Sequence, residues 1–159
     1  MQKLILPLII LMTLTLTLTL TACSSEKTIT RLTNNDTRDE YPSWSPDGTK
    51  IAFASDKDIT DELKTLNVLF YQIYSMNADG SNQTRLTNDN DDTINNQPSW
   101  SPDGTKIVFQ KRYGDDEIYV MNADGTNQIG LTDSDVDELN PSWSPDGTKI
   151  VFSSERDGN

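Results

Sequence analysis

Apolar residues along this chain fall in short runs, separated by polar stretches that hold proline, aspartate and glycine. The runs Ile51-Ala-Phe-Ala54, Ile107-Val-Phe109 and Ile150-Val-Phe152 are apolar at alternate and intervening positions alike. That pattern predicts strands covered by protein on both faces. Each run follows the same ten residues, Pro-Ser-Trp-Ser-Pro-Asp-Gly-Thr-Lys-Ile, starting at Pro42, Pro98 and Pro141. Within the first copy, Pro46 presets the backbone angle of the second turn position, Asp47 suits the third, and Gly48 takes the left-handed conformation that closes a tight hairpin. Asp103 with Gly104, and Asp146 with Gly147, repeat those roles. The Pro-Ser-Trp-Ser segment before each turn predicts a short, partly polar strand opened by its proline.

A second motif follows the first. Ile73-Tyr-Ser-Met-Asn-Ala-Asp-Gly80 matches Ile118-Tyr-Val-Met-Asn-Ala-Asp-Gly125, and each reads as a strand ending in a hairpin turn. A third motif, Arg31-Leu-Thr33, recurs at Arg85-Leu-Thr87 and in weaker form at Gly130-Leu-Thr132. The unit therefore has four strands, here A to D, centred on Trp44, Phe53, Tyr74 and Leu86. Antiparallel four-stranded sheets repeated every forty or so residues are propeller blades. The predicted fold class is all-β: a β-propeller of four-stranded antiparallel blades, incomplete, with about two full blades and flanking strands. Strand A would line the channel, B and C would pack between blades, and D would form the rim. Blade 1 is expected over about 41–88, blade 2 over about 97–133, and part of blade 3 over 140–159. Trp44, Trp100 and Trp143 hold equivalent places, so packing between blades explains them better than ligand stacking.

These motifs resemble the WD40-like repeats of TolB-like proteins, over about Thr28 to Asn159. The resemblance implies a propeller that acts through protein–protein contact in a bacterial envelope. Similar blades also occur in the non-catalytic propellers of some peptidases, so the likeness bears on fold more than on activity.

The front of the chain has a different pattern. Lys3 precedes an apolar stretch from Leu4 to Leu20 with interspersed threonines, closed by Leu20-Thr-Ala-Cys23. Residues 1–22 read as a secretory signal. The ending resembles a bacterial lipobox, which implies cleavage before Cys23, lipid on its sulfur, and residues 23–28 as a tether ahead of the repeats in 29–159. Two or three acyl chains hold a protein stably on a membrane. Ser24 after the cysteine favours, by the same resemblance, the outer membrane of a double-membraned cell. A retained transmembrane helix is the alternative, but no basic cluster follows the apolar run.

Composition narrows the chemistry. The formal charge is −12, which argues against nucleic acid and against electrostatic docking on anionic lipid. With no histidine, the sequence holds no Ser-His-Asp set and no histidine metal site. Cys23 is the only cysteine, so no intrachain disulfide forms. No cofactor is expected, and catalysis is not expected either. The Asp-rich stretches 88–92 and 133–138 suit solvated loops better than calcium, since neither has EF-hand spacing.

Two irregularities remain. The interval from Pro42 to Pro98 exceeds that from Pro98 to Pro141, chiefly through an insertion within Asp58–Tyr71. It carries Leu63, Leu66, Leu69 and Phe70, which either cap the blade edge or contact a partner. The third copy stops in the turn after strand B, leaving Lys149–Ser154 as an apolar edge. The chain is then part of a longer propeller, or is completed by self-association with the Arg31 strand of one copy beside the Phe152 strand of another. The expected function is a lipid-anchored, protein-binding scaffold with unidentified envelope partners. The alternatives are the propeller part of a truncated serine peptidase and a calcium- or glycan-binding module.

Overall fold

The structure is a computed structural model, and it describes residues 28–58, 70–89 and 93–157. The leader, Cys23 and the leucines at 63, 66 and 69 lie outside the described residues. The strand-bearing unit runs from Arg31 to Asn159.

Among the described residues, the unit holds two four-stranded antiparallel sheets and one two-stranded sheet. The first sheet holds β1 (Asp39–Trp44), β2 (Lys50–Ser55), β3 (Gln72–Asn77) and β4 (Thr84–Arg85), in that order. The second holds β5 (Ile94–Trp100), β6 (Lys106–Tyr113), β7 (Asp115–Asn122) and β8 (Ile129–Gly130). The third pairs β9 (Glu138–Trp143) with β10 (Ile150–Ser154). Sequence order equals spatial order in each full sheet; short turns join most antiparallel neighbours, while β2 and β3 are separated by the insertion.

The apolar runs lie at the centre of the sheets. Ala52 and Ala54 of β2, Ile73 of β3 and Leu86 form one wall of a core. Trp100, Ile107, Phe109 and Met121 of the second sheet form the other wall. The small alanines let the sheets approach, and the large residues opposite fill the space. On the other face of the first sheet, Ile51, Phe53, Tyr74 and Met76 cluster with Leu32 packed against them. Both faces of β2 are thus covered, as continuous apolar strands require.

Register supports the stacking. Ile51 faces Met76 and Phe53 faces Tyr74 across β2 and β3. Ile107 faces Met121 and Phe109 faces Tyr119 across β6 and β7. The ring centroids lie 5.8 Å and 5.9 Å apart in these two aromatic pairs, within the range of favourable ring contact.

Strands β1 and β5 lie side by side, as do β5 and β9. Trp100 N donates to Ser43 Oγ (3.4 Å), and Asn140 N donates to Gln110 Oε1 (3.4 Å), linking each sheet to the one before it. Each of these inner strands carries a bulge that the motif reading did not foresee. Two residues of β1, Tyr41 and Pro42, stand opposite Phe53 alone. Equivalent shifts occur in β5 and β9. The residue before each proline is left-handed, with φ of 53° at Tyr41, 50° at Gln97 and 56° at Asn140. A bulge leaves one residue out of the ladder, and a proline has no N–H to lose there.

Candidate functional site

The tight turns employ their aspartates structurally. Ser45 Oγ donates to Asp47 Oδ1 (2.6 Å), Thr49 N donates to the same oxygen (3.0 Å), and Lys50 N donates to Ser45 Oγ (2.9 Å). The same set recurs at Ser101, Asp103, Thr105 and Lys106, and again at Ser144, Asp146, Thr148 and Lys149. These donors favour the charged carboxylate, above all the serine hydroxyl. They hold Asp47 below the usual carboxylate range and bring Asp103 and Asp146 down to about 2. Asp79 and Asp124 are lowered in the same way, by Ser81 and Thr126.

A pH dependence follows. A carboxylate with a depressed folded value stabilises the fold fully above its unfolded value, near 4. That contribution fades as pH falls through the folded value. The thermal midpoint is therefore expected to hold down to the ordinary carboxylate range and to fall from there toward pH 2. Asp103→Asn should flatten that fall while lowering the midpoint at neutral pH. A midpoint that stays level to pH 2 in the parent chain would contradict the turn chemistry.

Successive turns stack. A Cβ on Gly104 would lie 3.3 Å from Pro46 Cγ, and one on Gly147 would lie 3.6 Å from Pro102 Cδ. Gly48 has nothing within 4 Å of that position. The three tryptophans differ accordingly. Trp100 is 8% exposed, with Pro46 and Asp47 of the first turn lining the same small pocket, whereas Trp44 is 57% exposed. Trp143 is half-buried in the matching pocket beside Pro102. Phe70, the one described residue of the insertion's apolar set, is half-buried just ahead of β3. Among the described residues, no group of three or more acidic or cysteine side chains is gathered as metal ligands.

One opening lies where β10 meets the second sheet. It is a groove of about 700 Å³, lined by Ile118, Leu131 and Val136 on one side and by Ile150, Phe152 and Arg156 on the other. The equivalent space between the first two sheets is filled by β7, whose Met121 enters the shared core with Tyr119 packed beside it. Leu86, covered there, is 5% exposed, while its counterpart Leu131 is 47% exposed. Beneath the groove, Glu138 is fully buried and accepts from Arg156 Nη2 (2.6 Å), Ser154 Oγ (3.1 Å) and Ser134 Oγ (3.2 Å). Burial pushes its carboxyl up, but those three donors outweigh it and leave Glu138 below its ordinary value. Motif reading singled out the β10 edge. It placed Leu131 in the third motif but gave no role to Glu138 or Arg156, because Glu138 stands where the second repeat has Asn95 and Arg156 where the first has Lys57.

Similarity to known proteins agrees with this architecture. The model of the TolB beta propeller domain matches residues 19–111 and 89–159. Protein Atu1656 of Agrobacterium fabrum (strain C58) is 33% identical over 88 residues, covering 54% of this chain and 29% of the relative. The uncharacterized peptidase YuxL of Bacillus subtilis (strain 168) is 32% identical over 85 residues, covering 54% of this chain and 11% of the relative. This chain thus spans less than a third of either curated relative. A solved TolB-type structure from Agrobacterium tumefaciens superposes with a TM-score of 0.63 at 34% identity, over 77% of this chain and 40% of that one. With stacked antiparallel sheets, repeated motifs and a family match across most of its length, the chain belongs to the TolB beta propeller domain family.

Proposed function

We propose that this chain is the propeller part of a lipid-anchored scaffold that binds protein on the periplasmic side of a bacterial envelope. The observation that carries the reading is the uncovered apolar surface of the blades. Trp44 and Tyr41 stand exposed on the first inner strand, while Leu131 stands exposed just after β8 and Val151 on β10. At the positions matching Trp44, Leu131 and Val151 in the middle of the array, Trp100, Leu86 and Val108 are buried. Large exposed apolar side chains at the open faces of a packed repeat suit macromolecular contact. The described turn carboxylates are engaged in their own turns, which leaves them no evident chemical task. The leader and Cys23 supply the anchoring part of the proposal, and outer-membrane delivery follows from Ser24.

The test is site-specific photocrosslinking in a bacterial envelope. A crosslinking amino acid at Tyr41 or Val151 should give a discrete protein adduct, and the same group at Lys149 in the exposed turn should not. Cys23→Ser should shift the protein from the membrane to the soluble fraction. Absence of adducts at both apolar positions would overturn the scaffold reading.

A second reading is favoured by the match to YuxL: the repeats would serve as the propeller of a peptidase. Because the sequence has no histidine, a Ser-His-Asp set would have to come from further chain. Hydrolysis of aminoacyl anilides by the native full-length protein would replace the scaffold reading with this one.

A further inference from the structure

We propose that the pocket between the β6–β7 hairpin and the segment after β8 is a guanidinium site, and that it takes an arginine side chain from a protein partner. The choice of a protein as the source rests on the protein-binding reading. The pocket itself rests on a comparison of the chain with its own repeats.

Two of the three Arg-Leu-Thr motifs show what the matching place holds. Arg31 folds back on its own segment, donating from Nε to Thr33 O (2.6 Å) and from Nη2 to Asn35 O (3.0 Å). Arg85 does the same with Thr87 O (2.7 Å) and Asp89 O (3.5 Å). Its Nη1 also lies 3.4 Å from Asp58 Oδ2, and that carboxylate accepts from Tyr74 Oη. A planar fork of donors thus ties two carbonyls to a carboxylate beside a tyrosine.

The third motif keeps the frame and lacks the cation. Leu131 N donates to Ile118 O (2.7 Å) as Leu86 N donates to Ile73 O (2.8 Å). Ile118 N donates to Thr132 Oγ1 (2.9 Å) as Ile73 N donates to Thr87 Oγ1 (2.9 Å). The backbone keeps the same pairing, but Gly130 stands where the other two motifs have arginine. A Cβ on Gly130 would lie 3.3 Å from Tyr119 Cζ. Tyr119 in turn lines a pocket of about 270 Å³ with Tyr113, Asp115, Glu117, Asp133 and Ser134.

Charge shifts at the same places. Glu117 stands where β3 has Gln72, and Asp133 where the earlier motif is followed by Asn88. Ser134 in place of Asp89 offsets only one of these changes. Glu117 accepts from Ser134 N (2.7 Å) and from Thr132 Oγ1, which fixes the carboxylate and leaves lone pairs for another donor. Lys111 also borders the pocket, but its Nζ is held 2.7 Å from Asp89 Oδ1. An anion would therefore meet three carboxylates and a lysine that is already paired. A guanidinium would meet carboxylates that accept a fork of donors, with Tyr113 exposed as a face to stack on. An ammonium is a point charge and matches that set less well. A chain of formal charge −12 attracts basic surfaces, and arginine is among the residues that most often anchor protein contacts.

The probe is the tripeptide acetyl-Gly-Arg-Gly-amide, titrated into the full-length chain and followed by the ring NMR signals of Tyr113 and Tyr119. Saturable shifts at both rings are expected. The citrulline peptide keeps the shape and loses the charge, and should bind at least about tenfold more weakly. The lysine peptide should fall between the two, and added salt should weaken the arginine peptide. Gly130→Arg supplies the group from within and should abolish binding. Tyr119 must give by a few tenths of an ångström to admit that side chain, so Asp133→Asn, at an exposed position, is the second variant. It should weaken binding and leave the thermal midpoint at neutral pH unchanged. No saturable shift, equal binding of the citrulline peptide, or undiminished binding by both variants overturns the proposal. If the peptide fails while adducts from Tyr41 or Val151 persist, the guanidinium site is wrong and the scaffold reading stands. If the peptide binds while those adducts are absent, the protein source falls with the scaffold reading and the guanidinium site stands.

Discussion

Gly125→Ala is expected to destabilise the protein by about 3 kcal/mol or more, and Gly48→Ala by only about 1 kcal/mol. Both glycines are left-handed, at φ +88° and +69°. A side chain in that region costs about 1–2 kcal/mol, and alanine recovers a few tenths or more by restricting the unfolded chain. For Gly48 nothing further enters, because the space around its Cβ position is open. For Gly125 the added methyl would lie 2.5 Å from Leu86 O and 3.0 Å from Leu86 Cα. These are backbone atoms of the neighbouring sheet, so relief requires the sheets to part. Overpacking against a fixed neighbour typically adds about 1–3 kcal/mol. A domain with about 5–15 kcal/mol of stability loses a large share of it. Urea midpoints by tryptophan fluorescence at constant slope would measure both. Equal losses at the two glycines would mean that the close approach of turn and D segment does not hold the sheets together.

That contrast also shows which features a repeat makes legible. Asp47, Asp103 and Asp146 could be assigned to turns from sequence because a tight turn is decided by its own four residues and their local hydrogen bonds. Across the short turns the strand order followed from the same logic, since they leave antiparallel neighbours little choice; between β2 and β3 it was the repeat, matching β6 and β7, that carried it. The bulges at Tyr41, Gln97 and Asn140 were hidden. Three different side chains hold the left-handed angle there, so no residue preference marks it. The only local sign is the proline that follows each one. The buried polar links between sheets were hidden for a related reason. Thr87 Oγ1 and Asn95 Nδ2 both donate to Gln72 Oε1, at 2.6 Å and 3.0 Å. At the matching positions Thr132 donates to Glu117, and Glu138 takes Arg156. The network's place is kept while its chemistry changes, and motif matching follows chemistry.

The identical decamers conceal a further point, because position in the array rather than residue type decides what each copy contributes. Phe109→Ala is expected to cost about 3–5 kcal/mol, the usual range for truncating a buried aromatic. Phe109 is fully buried between two sheets, in one cluster with Ile73, Leu86 and Met121. Ile73 and Met121 belong to inner strands with a paired strand on each side, so the cavity has little means of collapsing. Phe152 has the same preceding sequence but borders the open groove and is half-buried. It gives up less apolar area on truncation, at about 25 cal/mol per Å², and its surroundings can close in. Phe152→Ala should therefore cost about 1 kcal/mol. Unfolding by urea separates the two. Equal costs would mean that the third sheet is already packed as the second is, and that the groove is not an opening at all.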